Sequence, residues 1–292
     1  MSHIAIVTDS NSGITQEEGK ALGIYIVPMP FFINERVYFE DIDLTRDKFY
    51  ELLAQDVNVS TSQPSPGDIL DLWEDILRSH TEIVHIPMSS GLSASYDTAL
   101  GLAQEYEGKV QVVNNLRVSV TQQQAVMDAI ALRDNGKSAA EIKQILEDEA
   151  KESSIYLMVD TLKYLKKGGR ITPAAALIGS ALNLKPILQI QGDKLDAYKK
   201  VRGGKAAKKA IFQAIASDIQ GRFAEYDKKG ELNLQIGYSS TREEAEQWAA
   251  DLNEMFPKVE ITRIDPLALS IACHTGPGVV GVGLCHSLHN SR

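Results

Sequence analysis

The sequence predicts an α/β protein made of two α/β domains, and three observations carry that prediction. Short runs rich in Val and Ile alternate with amphipathic stretches along the whole chain. The 292 residues, 43% hydrophobic and 24% charged, are enough for two separate cores, and they contain no low-complexity tract or internal repeat. Near Ser153 the composition changes as glycine-bearing basic and small-residue segments begin, which places the domains at 1–153 and 154–292.

In chain order, "HIAIVTDS" reads as a strand ending in a turn. "TQEEGKALG" reads as a helix opened by Thr15 and stopped by Gly23. "IYIVPMPFFIN" and "ERVYFEDI" read as extended. Thr45 caps "TRDKFYELLAQ", which puts Phe49, Leu52 and Leu53 on one helical face. Ser65 or Pro66 opens a helix carrying Ile69, Leu70, Trp73, Ile76 and Leu77. "TEIVHIP" is a buried strand, "ASYDTALGLAQEY" a helix and "KVQVVNN" another strand; two helices, "SVTQQQAVMDAIALRDNG" and "SAAEIKQILEDEAKES", complete the first half.

The second half opens with the strand "IYLMVD", a basic loop and a small-residue helix, "PAAALIGSALN". A hairpin in "KPILQIQGDKLDAYKK" turns at Gly192-Asp193. A long helix from Lys205, the strand "LNLQIGYS", the helix "TREEAEQWAADLNEM", the strand "VEITRIDP" and the apolar "GPGVVGVGLC" follow. The tail "HSLHNSR" reads as disordered.

A net charge of −9 argues against a nucleic-acid partner, because such a chain repels a polyanion. No run approaches the roughly 18 apolar residues of a membrane span, and "MSHIAIVTDS" is too brief for a signal peptide, so a cytoplasmic location is expected. Cys273 and Cys285 lie in no zinc-ligand spacing and are expected to be reduced and packed; no metal is expected.

Ligands of open α/β sheets gather at the carboxyl ends of strands. Four loops fit that position: Asp9-Ser10, Thr61-Ser62, the hydroxyl cluster at 89–95 and Asn114-Asn115. Hydroxyls, amides and helix N-termini together suit an anion. Neither "GxxxxGK[ST]" nor "GxGxxG" follows any strand, so a single weakly charged group such as a carboxylate fits better than a polyphosphate. "SSGLSASY" leaves an alternative open: Ser93, Asp265 and His274 reproduce the chain order of a hydrolase triad. Ser95, however, stands where a nucleophile elbow needs its second glycine. "CHTGPG" offers an imidazole beside a sharp turn, and "LKKGGRI" offers Arg170 as a cation able to lean over a cleft, which leaves a small phosphorylated metabolite as a further alternative.

"VTDSNSGI", "STSQPSPGD", "SSGLSASY", "LMVDTLKYLKKGGRI", "KPIL" and "DPLALSIACHTGPGVVGVG", in this order, resemble the DegV family over nearly the whole chain. The resemblance implies two α/β domains with a ligand tunnel between them, the second closing over the tail of one bound long-chain fatty acid, and no cofactor. It implies a lipid carrier, inactive alone, that presents the carboxylate to a separate ATP-binding fatty acid kinase subunit for acyl-phosphate formation in bacterial phospholipid synthesis. Thr61 and Ser93 would hold the carboxyl group, Ser62 and His274 would lie near the head group, and Arg170 would face the partner. Where the family commonly has "LSGTY", this chain has "LSASY".

Overall fold

A computed structural model describes residues 3–172, 184–192 and 194–288. The chain forms two compact units. One runs from the N-terminus to Lys151 and takes in Ala268–Ser270; the other comprises Glu152–Leu267 and the chain from Ile271 on.

The first unit contains, in chain order, β1 (Ile4–Asp9), α1 (Gln16–Leu22), β2 (Tyr25–Val27), β3 (Phe31–Ile33), β4 (Arg36–Tyr38), α2 (Arg46–Leu53), β5 (Val59–Thr61), α3 (Pro66–Leu77), β6 (Glu82–Ile86), α4 (Ser95–Ala103), β7 (Val110–Val112), α5 (Val120–Asp134) and α6 (Ala139–Asp148). A parallel sheet has the order β2-β1-β6-β7. Every residue of β1 is buried, as a parallel strand covered on both faces requires. On one side Trp73 and Ile69 of α3 and Ala99 of α4 pack on Val7, Ile83 and Val112; burying each large side chain contributes about 1.5–3 kcal/mol. The helix starts are set locally. Thr15 and Glu18 form a reciprocal capping box, and Thr45 and Ser65 each accept a bond from the third backbone N–H of their helices.

The "STSQPS" segment departs from expectation. Its strand, β5, pairs antiparallel with β3 in a separate sheet of order β4-β3-β5, so Thr61-Ser62 does not end a strand of the parallel sheet.

The second unit contains β8 (Ser153–Met158), α7 (Lys163–Gly168), β9 (Leu184–Ile190), β10 (Leu195–Arg202), α8 (Gly204–Gln220), α9 (Ala224–Lys229), β11 (Leu232–Tyr238), α10 (Arg242–Met255), β12 (Glu260–Pro266) and β13 (Val280–His286). Between β12 and β13 lies α11 (Leu269–Thr275), whose first two residues belong to the other unit. The sheet order is β10-β9-β8-β13-β11-β12; β11 and β12 are parallel and the other neighbours antiparallel. Ile211, Ile215, Trp248 and Leu252 of α8 and α10 pack on Ile187, Leu234, Ile236 and Val282 of this sheet.

Three expectations change here. The basic loop "KYLKKG" is a helix, α7, ended by Gly169 in the left-handed region at φ +67°. The helix from Lys205 is followed by a second short one, α9. The tail is ordered through Leu288, with His286 ending β13 and Ser287 buried. The expected helix at 173–183 and the turn residue Asp193 lie outside the described residues. Cys273 and Cys285 are buried thiols.

Candidate functional site

Three of the four loops sit where the sequence places them, after β1, β6 and β7 at the carboxyl edge of the parallel sheet. Asp9, at the end of β1, is 2% exposed. Its Oδ1 accepts from Asn11 N (3.0 Å) and Gln122 Nε2 (3.2 Å), and its Oδ2 accepts from Met88 N (2.7 Å). Burial pushes this carboxyl up to about 6 although all three bonds pull it down.

After β6 the chain turns through the hydroxyl cluster. Ser89 C=O accepts from Leu92 N (3.0 Å) and Ser93 N (3.1 Å), and Ser89 N donates to Arg117 C=O (2.8 Å). The Ser93 and Ser95 hydroxyls lie 2.8 Å apart, and Ser93 Oγ also accepts from Ser95 N (3.2 Å). The turn therefore presents a partly buried hydroxyl whose orientation is set by its neighbour. The β7–α5 loop that buttresses it is itself constrained. Leu116 and Ser119 have φ of +52° and +56°, Asn115 Oδ1 accepts from Arg117 N (2.7 Å), and Arg117 Nη2 donates to Glu149 C=O (2.6 Å).

Thr61-Ser62 joins this group by two links that do not involve the parallel sheet. Ser62 N donates to Pro30 C=O (3.3 Å), and the neighbouring Met29 N donates to Ser10 Oγ (3.0 Å) beside Asp9. On the other flank Thr98 Oγ1 of α4 donates to Gln63 Oε1 (3.0 Å). Thr61 is partly buried and pairs with Phe31.

The geometry disfavours the triad. A nucleophile elbow holds its serine in strained backbone, but among the described residues the serine with positive φ is Ser119, not Ser93. His274 lies in the last turn of α11. Burial first, and the Arg170 charge second, depress it to about 4, so it stays neutral near pH 7 and is a poor general base. Asp265 Oδ2 stands 3.9 Å from Arg263 Nε.

The two glycine motifs of the second unit, separate in sequence, pack on each other. A β-carbon on Gly168 would lie 2.7 Å from His274 Cε1, one on Gly276 2.6 Å from Tyr164 Cε2, and one on Gly278 2.7 Å from Asp160 Cγ. Gly276 and Gly278 also have φ of +75° and +78°, so both space and backbone require glycine there. Ser239, which sequence reading did not single out, pins the turn: its hydroxyl donates to Gly276 C=O (2.7 Å) and accepts from Val279 N (3.1 Å). Arg170 is exposed and its Nη1 folds back onto Gly168 C=O (2.6 Å).

Among the described residues no group of three His, Cys, Asp or Glu side chains could hold a metal ion, and no helix is long and apolar enough to cross a membrane.

The two compact units, with hydroxyl-bearing loops at the carboxyl edge of a parallel sheet, define an α/β protein whose loops lie at the edge where open sheets gather ligands. More narrowly, the family model described as an uncharacterised protein of the DegV family matches residues 3–287, and the chain belongs to that family. A DegV domain-containing protein of Streptomyces coelicolor is 30% identical, over 96% of this chain and 97% of the relative. The crystal structure of DegV, a fatty acid binding protein from Bacillus subtilis, superposes with a TM-score of 0.84 at 28% identity, covering 98% of this chain and 100% of that one. A fatty-acid-binding DegV family protein from Thermus thermophilus gives 0.85 at 28% identity, covering 97% and 99%.

Proposed function

We propose that this chain binds one long-chain fatty acid, its carboxyl group held by the hydroxyls of Thr61 and Ser93, with Ser62 and His274 near the head group. The observation that carries the reading is the Thr98–Gln63 bond, which ties the Thr61 loop to the helix that begins two residues after Ser93. The fatty-acid-binding relatives from Bacillus subtilis and Thermus thermophilus support it.

Burial of a sixteen-carbon tail at about 0.8 kcal/mol per methylene offers on the order of 12 kcal/mol before ordering costs, against about 1 kcal/mol for each neutral hydrogen bond. The tail supplies affinity and the hydroxyls supply register. In the same reading the protein is a cytoplasmic carrier without activity of its own. A separate ATP-dependent kinase subunit docks at the face bearing Arg170, a carboxylate oxygen attacks the γ-phosphorus of its ATP, and ADP leaves an acyl phosphate.

Denaturing mass spectrometry of the protein purified from a bacterial host is expected to release one fatty acid per chain. A ligand-free spectrum together with no uptake of added oleate or palmitate overturns the reading. Arg170→Ala is expected to retain the lipid and to slow phosphorylation by the kinase subunit; parallel loss of both would place Arg170 in the binding site instead.

A further inference from the structure

We propose that Asp9 is the positioning residue of the head-group loops: as a triple hydrogen-bond acceptor, its carboxylate sets where the Ser89–Ser93 turn and the Thr61 segment stand. The inference rests on the reading that these loops hold a fatty acid carboxyl group.

Two branches lead from Asp9 to the two hydroxyls. Along one, Oδ2 accepts from Met88 N, and the next residue, Ser89, supplies the carbonyl that receives Ser93 N. Along the other, Oδ1 accepts from Asn11 N and so shapes the turn of Ser10–Ser12; Ser10 Oγ takes Met29 N, and Pro30 C=O takes Ser62 N. Gln122 of α5 closes the arrangement, its Nε2 donating to Asp9 Oδ1, to Thr8 Oγ1 (3.1 Å) and to Ile86 C=O (3.3 Å). One carboxylate thus governs the ends of β1 and β6 and the approach to β5. Asparagine in its place would set an N–H₂ group against donors, a conflict that no rotation of the amide relieves at both oxygens.

Charged neighbours do not set the state of Asp9, since burial and its three hydrogen bonds are the causes at work. On the elements packed around it, His85 of β6 is held by burial down at about 3 and stays neutral. Arg117, in the loop entering α5, directs Nη2 to Glu149 C=O. The Ser10–Ser12 turn and the Ala268–Ser270 segment bring no ionisable side chain. On acidification through about 6, the proton taken up by Asp9 displaces one of the three N–H donors, and the loops lose their common anchor.

The test pairs ligand binding with spectroscopy of the full chain. In lipid-free wild type, the amide resonances of Asn11, Met88, Ser89 and Ser93 are expected to titrate together with a midpoint near 6, and Gln122→Met, which removes one donor, is expected to move that midpoint upward. In Asp9→Asn the shared titration is expected to vanish. Oleate affinity at pH 7.5, read by displacement of a fluorescent fatty acid, is expected to fall at least tenfold, with little further loss at pH 5.5, whereas wild type loses affinity over that interval. Should Ser93→Ala weaken oleate binding while Asp9→Asn does not, the functional reading stands and the positioning role falls. Should oleate not bind at all while the four amides still titrate through Asp9, the functional reading falls and the positioning of the turn stands. If Asp9→Asn does not fold, the Gln122→Met midpoint decides: an unmoved midpoint, or amides that titrate separately, overturns the proposal.

Discussion

The imidazole of His274 lies against the α-carbon of Gly168, leaving no room for a β-carbon between the end of α7 and the last turn of α11. Gly168→Ala would ordinarily gain a little helix propensity, up to about 1 kcal/mol. Here overpacking at about 1–3 kcal/mol outweighs that gain. The urea midpoint of Gly168→Ala is expected to fall, and His274→Ala in the same chain is expected to restore it. A rise in the single variant would show that the ring yields.

His274 also makes stability depend on pH. Its folded value of about 4 lies below the ordinary 6.5, so the unfolded chain binds the proton more readily and stability drains as pH falls through that interval. Between pH 7 and pH 5 this amounts to about 2 kcal/mol. His85, at about 3, acts in the same direction. Asp9 acts oppositely: its raised carboxyl contributes stability that is full below 3.8 and is lost as pH rises through about 6. The two offset each other over much of the acid range. His274→Gln is therefore expected to lose less stability than wild type between pH 7 and pH 5, and Asp9→Asn more, by denaturant midpoints at the two pH values.

Thr98→Val removes the bond to Gln63 and keeps the shape of the side chain. Global stability is expected to change by no more than about 1 kcal/mol, while oleate affinity falls several-fold as the Thr61 loop is released from α4. Unchanged affinity would mean that the loop is held without this tie.

Hydroxyls and tail are expected to contribute unequally. Ser93→Ala should cost about 1 kcal/mol, roughly fivefold in affinity, whereas shortening the fatty acid by two methylenes should cost about 1.6 kcal/mol, roughly fifteenfold. Calorimetric titration of a chain-length series against wild type and Ser93→Ala checks the ranking, and a Ser93→Ala effect larger than that of the methylenes would reverse it.

Features written in adjacent residues were legible in the sequence. Thr15, Thr45 and Ser65 cap helices because the donors they satisfy lie three positions on, and β1 and β6 announce themselves by their short stretches rich in Val and Ile. What depends on distant partners was not. Residues 59–61 carry no mark of pairing with β3 rather than with the parallel sheet. The bond from Met88 to Asp9 spans 79 positions. The helix α7 escaped notice because Leu165 is its only fully buried residue, and Lys166-Lys167-Gly168-Gly169 at its end reads as a turn. The loops after β1, β6 and β7 stand at the sheet edge where the sequence places them, but the acceptor Asp9 looked like an ordinary strand-end aspartate.

Leu269 and Ser270 have a consequence for how the protein is made. Leu269 is fully buried, its N–H donates to Glu40 Oε2 (2.7 Å), and Ser270 Oγ donates to Asn11 Oδ1 within the first unit. That unit therefore lacks one of its own core residues until the ribosome has passed position 270 of 292. Its completion waits on synthesis of the second unit through β12, and release of a finished first unit at Lys151 is ruled out by the order of the chain.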